Sequence, residues 1–351
     1  MTDNILVKYG VMTKNHCEEI QTMKLRPLQK GEVLVKQEAC NICTTDYQQW
    51  LGLREHQGYP MAGGHESSGI IVDIAPDVKE FKIGDRVSFC YAYCDECEYC
   101  KIGRTDLCVE RNTFQVIPGI KGDFGFATYA IRKSKFLVKT GKNLNPSAAA
   151  FIEPLATVCS AQEKLSHHIG KTVLVIGAGT MGLLNAQIAR LHGAKVIVSE
   201  LMDKKIEKAK ELGFDIVNPK QGDISNQLEQ IIGRKVVDTV ILAVGNIVAT
   251  KEAFRLVKEK DGEILFFSAG YPDPKFEVSA NEIHYRRLKL IGAFEAYMEN
   301  FYTAARLLEN GLINTEALVE KVFYISEINK AFEYASEPGR YRVSVLLQED
   351  R

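Results

Sequence analysis

The chain has 351 residues, of which 46% are apolar and 25% charged, and its 44 Lys+Arg against 45 Asp+Glu leave a formal charge of −1. Such globular averages, at a length suited to two domains, exclude disorder, collagen and coiled coil. A chain this neutral has no whole-protein field for nucleic acid or an anionic membrane, and its apolar stretches stop short of the ~18–20 residues that span a bilayer.

The first residues, MTDNILVKYGVMTKNHCEEI, are polar and lack the apolar core of a secretory signal, which points to the cytoplasm. From 30 to 90 the text is strand-like. Glu32–Lys36 and Ser68–Val72 are β-rich, and Gly84-Asp85 turns into a strand over Arg86–Phe89. Residues 91–112 lose periodicity and collect cysteines. Strand character returns at Ala127–Ile131 and Phe136–Val138. Near 146 strands begin to alternate with helical stretches, the pattern of a parallel α/β sheet. Strands are expected at Thr172–Ile176, Lys195–Ser199, Thr239–Val244, Glu263–Ser268, Leu288–Gly292 and Tyr341–Leu347. Helices are expected at Met181–Leu191, with Leu184, Ile188 and Leu191 on one face, and at about Phe301–Glu309.

The run Val173–Ile176 leads into Gly177-Ala178-Gly179-Thr180-Met181-Gly182, a G-x-G-x-x-G that follows a strand and opens a helix. In that context the pattern reads as a dinucleotide loop. Gly177 permits the tight turn, Gly179 lets the backbone approach a pyrophosphate, and Gly182 lets helix and strand pack. The helix start, Thr180 and Met181, presents unpaired N–H groups to phosphate. Glu200 ends the next strand, where a carboxylate accepts from both ribose hydroxyls and repels a 2′-phosphate. NAD(H) is therefore favoured over the phosphorylated cofactor, although Lys204 and Lys205 lie close and soften the preference.

Nine cysteines, an odd number, cannot all enter a closed disulfide framework, and they sit in a chain read as unexported. Cys94-x2-Cys97-x2-Cys100-x7-Cys108 places four thiols on a short irregular loop. Four thiolates around one Zn²⁺ would fix that loop with no open coordination position, a structural zinc. An iron–sulfur cluster or two disulfides are the rival readings, though the spacing matches neither common ferredoxin run. Three further fragments hold ligand chemistry: Cys43-Thr44-Thr45-Asp46, Gly64-His65-Glu66 and Glu153-Pro154-Leu155. Taken singly, each also has a bland reading as core or solvated surface.

Together with Gly69, Gly84-Asp85-Arg86-Val87, the Cys94–Cys108 run and the Gly177–Gly182 loop with Glu200, these motifs resemble the zinc-dependent medium-chain dehydrogenase/reductase family, in its sorbitol (polyol) and threonine dehydrogenase branch. The resemblance covers essentially the whole chain. It implies an α/β protein: a GroES-like β-rich catalytic domain, 1–148 and 288–351, with the zinc lobe at 91–112, and an inserted Rossmann domain, 149–287. It implies two zinc ions per chain. Cys43 and His65 are expected to hold the catalytic one with a glutamate, Glu66 or Glu153; Asp46 is expected to orient His65, and Thr45 to pass on the substrate proton. The activity implied is NAD-dependent oxidation of a secondary alcohol, a polyol or sugar, by hydride transfer in a homotetramer or homodimer. Threonine-type amino alcohols and small diols are the alternative substrates, and a zinc-stabilised NAD-binding sensor is the non-enzyme reading.

Three departures limit the transfer. Thr44 stands where relatives usually have Gly. Gln48 replaces a titratable His, with His56 as a conceivable substitute. Glu295 stands where sorbitol dehydrogenases often place an Arg on the substrate. Trp50 and Phe294 fit either a pocket wall or core.

Overall fold

A computed structural model describes residues 5–54, 58–110, 119–166, 169–271 and 273–348. His56 and residues 111 and 112 of the expected zinc lobe lie outside them. The chain divides into two compact units, Met1–Ala156 with Ala296–Arg351, and Thr157–Glu295.

The first unit opens with a hairpin, β1 (Leu6–Lys14) and β2 (Cys17–Lys24), antiparallel throughout. Strand β3 (Glu32–Ile42) follows and runs well past the expected Lys36. Next come α1 (Thr44–Trp50), β4 (Glu66–Ile74), β5 (Arg86–Phe89), α2 (Glu98–Lys101), β6 (Tyr129–Lys133), β7 (Leu137–Lys139), α3 (Pro146–Ala149) and α4 (Ile152–Gln162). Val33, Val35, Ile71, Val87 and Leu137 alternate inward and form one core with Val7 and Val11 of the hairpin. The hairpin is hard to read in advance because β2, CEEIQTMK, is largely exposed and polar, and its buried position is a glutamate.

The second unit is a six-stranded parallel sheet. Its elements are β8 (Thr172–Ile176), α5 (Thr180–Leu191), β9 (Lys195–Ser199), α6 (Asp203–Glu211), β10 (Asp215–Val217), α7 (Ile224–Ile232), β11 (Thr239–Leu242), α8 (Ile247–Leu256), β12 (Glu263–Phe266), α9 (Ala280–Arg286) and β13 (Lys289–Gly292). Strand order is β10-β9-β8-β11-β12-β13, so the order reverses beside β8, the position where doubly wound sheets bind dinucleotides. Strand β8, TVLVI, is buried along its whole length, which is why it reads as an unbroken apolar run. Leu184 and Ile188 of α5 are buried, but Leu191, expected on the same face, is 43% exposed because the helix ends there. The sequence-derived boundaries at 148/149 and 287/288 shift. Residues up to Ala156 belong to the first unit, and β13 joins the second by pairing with β12.

The chain then returns to the first unit through α10 (Met298–Glu309), β14 (Val319–Tyr324), α11 (Ile328–Ser336) and β15 (Arg342–Leu346). Strand β15 pairs antiparallel with β3 and completes a seven-stranded sheet, β14-β15-β3-β4-β5-β7, with β6 also on β3. Trp50 packs on Phe332 of α11, ring centroids 6.1 Å apart, and is core; Phe294 is 74% exposed and is surface.

Glu18 of β2 is an anomaly in this core. Its backbone N–H donates to Asn329 Oδ1 and its carbonyl accepts from Asn329 Nδ2, but neither carboxyl oxygen has a partner among the described residues. Burial, aided by the charges of Asp46 and Cys17, holds this carboxyl well above its ordinary 4.5. The folded state therefore binds a proton that the unfolded state releases above pH 4.5, and stability falls as pH rises from there toward the folded-state pKa. We expect Glu18→Gln to melt higher than the wild type. The gap should widen by about 1.4 kcal/mol per pH unit across that window and vanish below it. Urea unfolding of both proteins from pH 4 to 8 checks this; a pH-independent gap contradicts it.

Candidate active site

Register on both edges of β3 assembles the first cluster. Asn41 pairs with Glu66 across the β3–β4 ladder, so the residues just beyond, Cys43 and His65, converge. Cys43 caps α1, and its N–H donates to Asp46 Oδ2 at 3.0 Å. The other Asp46 oxygen accepts from Gly64 N at 3.2 Å and lies 3.8 Å from His65 Nδ1. One buried carboxylate thus ties the Cys43 turn to the His65 loop. Gly64 has φ +89°, and a Cβ there would meet Cys40 Sγ at 2.8 Å and Phe126 N at 2.9 Å, so a side chain is excluded.

Donor atoms of Cys43, His65 and Glu66 lie within 4.8 Å of one another. Thr45 Oγ1 is 3.9 Å from Cys43 Sγ. Glu66 is fully buried, and Arg342 holds both its oxygens, Nε to Oε2 at 2.8 Å and Nη2 to Oε1 at 2.6 Å. The same Nη2 lies 3.5 Å from Cys43 Sγ. Glu153, buried on α4, stands outside this close group and accepts a hydrogen bond from Tyr91 Oη.

The electrostatics suit a cation. Burial favours neutral imidazole at His65, yet Asp46 and Cys43 outweigh it and hold His65 well above its ordinary 6.5. Burial, reinforced by the charge of Glu66, pushes Glu153 up to about 7. Asp46 is raised by burial too, against His65 and the N–H groups of Cys43 and Gly64. A thiol, an imidazole and carboxyls that compete for protons form a donor set matched to Zn²⁺.

The four cysteines of the lobe form a second cluster, again with donor atoms within 4.8 Å. Cys94 Sγ accepts from the N–H groups of Glu96 and Cys97, and Cys94 N donates to Cys108 Sγ. Cys94 and Cys100 sulfurs are 3.9 Å apart, far beyond a disulfide bond, and all nine cysteines are free thiols. Backbone N–H donors lower Cys97 to about 6, the direction that favours a metal-binding thiolate.

In the second unit the glycine loop joins β8 to α5. Gly177 has φ +103°, and a Cβ there would sit 2.6 Å from Val244 Cγ1. A Cβ on Gly182 would fall 1.9 Å from the Gly177 carbonyl, whereas Gly179 faces open space, with only Lys205 Nζ nearby at 3.9 Å. Thr180 and Met181 open α5. Glu200 Oε2 accepts from Ala178 N at 2.8 Å, and Oε1 from the N–H groups of Leu201 and Met202. The acid is thereby fixed against the loop.

Known proteins resemble this chain in sequence and fold. The family model described as the alcohol dehydrogenase GroES-like domain matches residues 29–142, and the zinc-binding dehydrogenase model matches 180–310. A sorbitol dehydrogenase of Halalkalibacterium halodurans is 30% identical over 91% of this chain and 92% of its own. The chain belongs to the zinc-dependent medium-chain dehydrogenase family. An L-galactonate-5-dehydrogenase of Escherichia coli K12 is likewise 30% identical, over 86% of this chain and 87% of its own. Among solved structures, a Sinorhizobium meliloti 1021 protein bound to NADP has TM-score 0.87 at 28% identity, covering 98% of this chain and 100% of its own. An alcohol dehydrogenase of E. coli CFT073 complexed with NADH has TM-score 0.84 at 26% identity, covering 97% and 99%.

Two residues of this dehydrogenase escaped the sequence reading. Arg342 is 276 residues from Glu66 in the chain and reaches it because Val343 pairs with Ile42. Its signal was a lone arginine opening an apolar strand, RVSVL. Tyr91 had no signal beyond its place before Cys94. Glu295, at φ +61°, is half-buried where the second unit ends.

Removing one partner of a buried ion pair strands the other. Arg342→Gln should cost about 3–5 kcal/mol, and adding Glu66→Gln should recover at least half of it. A double-mutant cycle by urea unfolding checks this; additive losses would contradict the pairing.

Proposed function

We propose that this chain is a zinc-dependent dehydrogenase interconverting a secondary alcohol of a polyol or sugar and its ketone, with hydride exchanged with NAD(H). The observation that carries the reading is the meeting of Cys43, His65 and Glu66 donor atoms within 4.8 Å in a protein of this family. The relatives named as sorbitol and galactonate dehydrogenases favour the polyol class.

In this reading Cys43, His65 and one glutamate hold the catalytic zinc, and Cys94, Cys97, Cys100 and Cys108 hold a structural one. Bound at the first set, zinc supplies Lewis acidity to the substrate oxygen. Glu66 is the near donor, but Arg342 engages both its oxygens; Glu153, kept partly protonated by its burial, is the alternate ligand. Asp46, whose Oδ1 lies 3.8 Å from His65 Nδ1, orients the ring through its charge and leaves Nε2 for metal. Thr45 Oγ1, beside Cys43 Sγ, is placed to take the alcohol proton onward, and Gln48 cannot titrate in place of a histidine. Gly177, Gly179, Thr180, Met181 and Gly182 cradle the pyrophosphate. Glu200 accepts from the adenosine ribose hydroxyls and disfavours a 2′-phosphate, so NAD(H) is preferred.

The chain works as a homodimer or homotetramer in the cytoplasm. Supporting this, β13 is an end strand of its sheet, with the exposed rings of Tyr285 and Phe294 close in sequence, and the cysteines are all reduced.

The test is an NAD⁺-reduction screen over polyols, aldonates, threonine and diols, with wild type and Cys43→Ser. A polyol or sugar acid should give the highest kcat/KM. Cys43→Ser should lose at least about a thousandfold in kcat, a transition-state loss of ~4 kcal/mol, while NADH binding is kept. Undiminished turnover in the variant would overturn the catalytic-zinc reading, and threonine as best substrate would overturn the polyol reading.

A further inference from the structure

Within the first unit lies a cavity of about 190 Å³ whose lining includes Met23, Leu25, Phe89, Phe124, Phe136 and Arg132. Arg132 sits on β6, its guanidinium carbon 4.2 Å from the centre of the Phe89 ring. It donates Nη2 to the carbonyl of Asp123 and meets no carboxylate in an ion pair among the described residues. Its Nε is enclosed and has no hydrogen-bond partner among the described residues. The other charges on the lining are accounted for. Glu32 is held by Arg26 at 2.6 Å and by Lys133 at 3.1 Å, and Asp123 acts on Arg132 only at a distance. Burial pulls Arg132 down to about 10, although the residue as a whole is half-buried and only its Nε is fully enclosed.

An enclosed guanidinium N–H without an acceptor is costly. One water would satisfy it, but a water occupies only ≈ 30 Å³ and would leave the aromatic walls unfilled. Phosphate brings more strongly hydrated oxygens than Arg132 alone can pair, because Arg26 and Lys133 on the same lining are engaged by Glu32. A planar carboxylate on an apolar body meets both demands: the fork of the guanidinium and the hydrophobic wall. We propose that this cavity binds a small organic monocarboxylate, its head group on Arg132 and its body among Phe89, Phe124 and Phe136.

The experiment is calorimetric titration of the full-length, zinc-loaded protein with benzoate and with butyrate. We expect saturable one-to-one binding, weakened at least tenfold in Arg132→Gln, and no displacement by equal phosphate or chloride. Met23→Trp, which fills the cavity and leaves the guanidinium in place, should abolish binding. It decides the matter if Arg132→Gln fails to fold, as judged by lost zinc or NADH binding. Absent binding in the wild type overturns the proposal. So does binding unchanged in the variants, which would put the carboxylate elsewhere. Equal competition by phosphate or chloride would show a bare anion site and overturn the ligand class.

Discussion

Strand β3 is paired on both edges, and its last residues set what the Cys43–His65–Glu66 cluster contains. On one side the ladder with β4 brings Glu66 opposite Asn41; on the other, the ladder with β15 brings Val343 opposite Ile42. Glu66 belongs to one of these pairs, and Cys43, His65 and Arg342 are each one position from a paired residue. A slip of one residue in either ladder would turn the side chains to the opposite face and dissolve the cluster. Strand β3 is buried along most of its length, with Val33 and Val35 in one core and Ile42 in another, which makes such a slip expensive.

The charge arrangement follows from that register. Cys43, Asp46, Glu66 and Glu153 gather acidic groups in a small volume, and Arg342 and His65 answer them. Arg342 is permanent and pairs bidentately with one carboxylate. His65 and Glu153 are adjustable, and both are pushed toward their protonated forms: His65 by the surrounding negative charge against the effect of burial, Glu153 by burial reinforced by the charge of Glu66. A divalent cation would replace those protons. The same logic separates the two clusters. The four-cysteine lobe has four soft donors and nothing left over, while the β3 cluster has fewer donors and a second glutamate at its margin.

The second unit was largely legible in the sequence because its signals are local. Buried parallel strands read as continuous apolar runs, and Thr172–Ile176 and Lys195–Ser199 fall where expected. The Gly177 and Gly182 constraints are also local, each being a close approach to backbone or side chain within the same fold unit. The first unit was less legible. Polar β2 shows no alternation, and β14, VEKVFY, is likewise mixed in burial. The metal-ligand fragments were visible as motifs, but their convergence was implied by resemblance rather than by spacing. Arg342 and Tyr91 depend on contacts distant in sequence, which no local pattern encodes. Glu295, at a left-handed backbone position, shows no distinct role.

Two unlike zinc centres in one chain have a distinct spectroscopic signature. X-ray absorption at the zinc edge, with metal counted on the same sample, should show two zinc ions per chain and an average of about 2.5 sulfur ligands per zinc at ~2.3 Å, from four thiolates at one centre and one at the other. Cys43→Ser should lower that average to about 2 if both ions remain, or leave a single all-sulfur zinc if the catalytic ion is lost. A single all-sulfur zinc in the wild type, or iron with labile sulfide, would contradict the two-centre assignment.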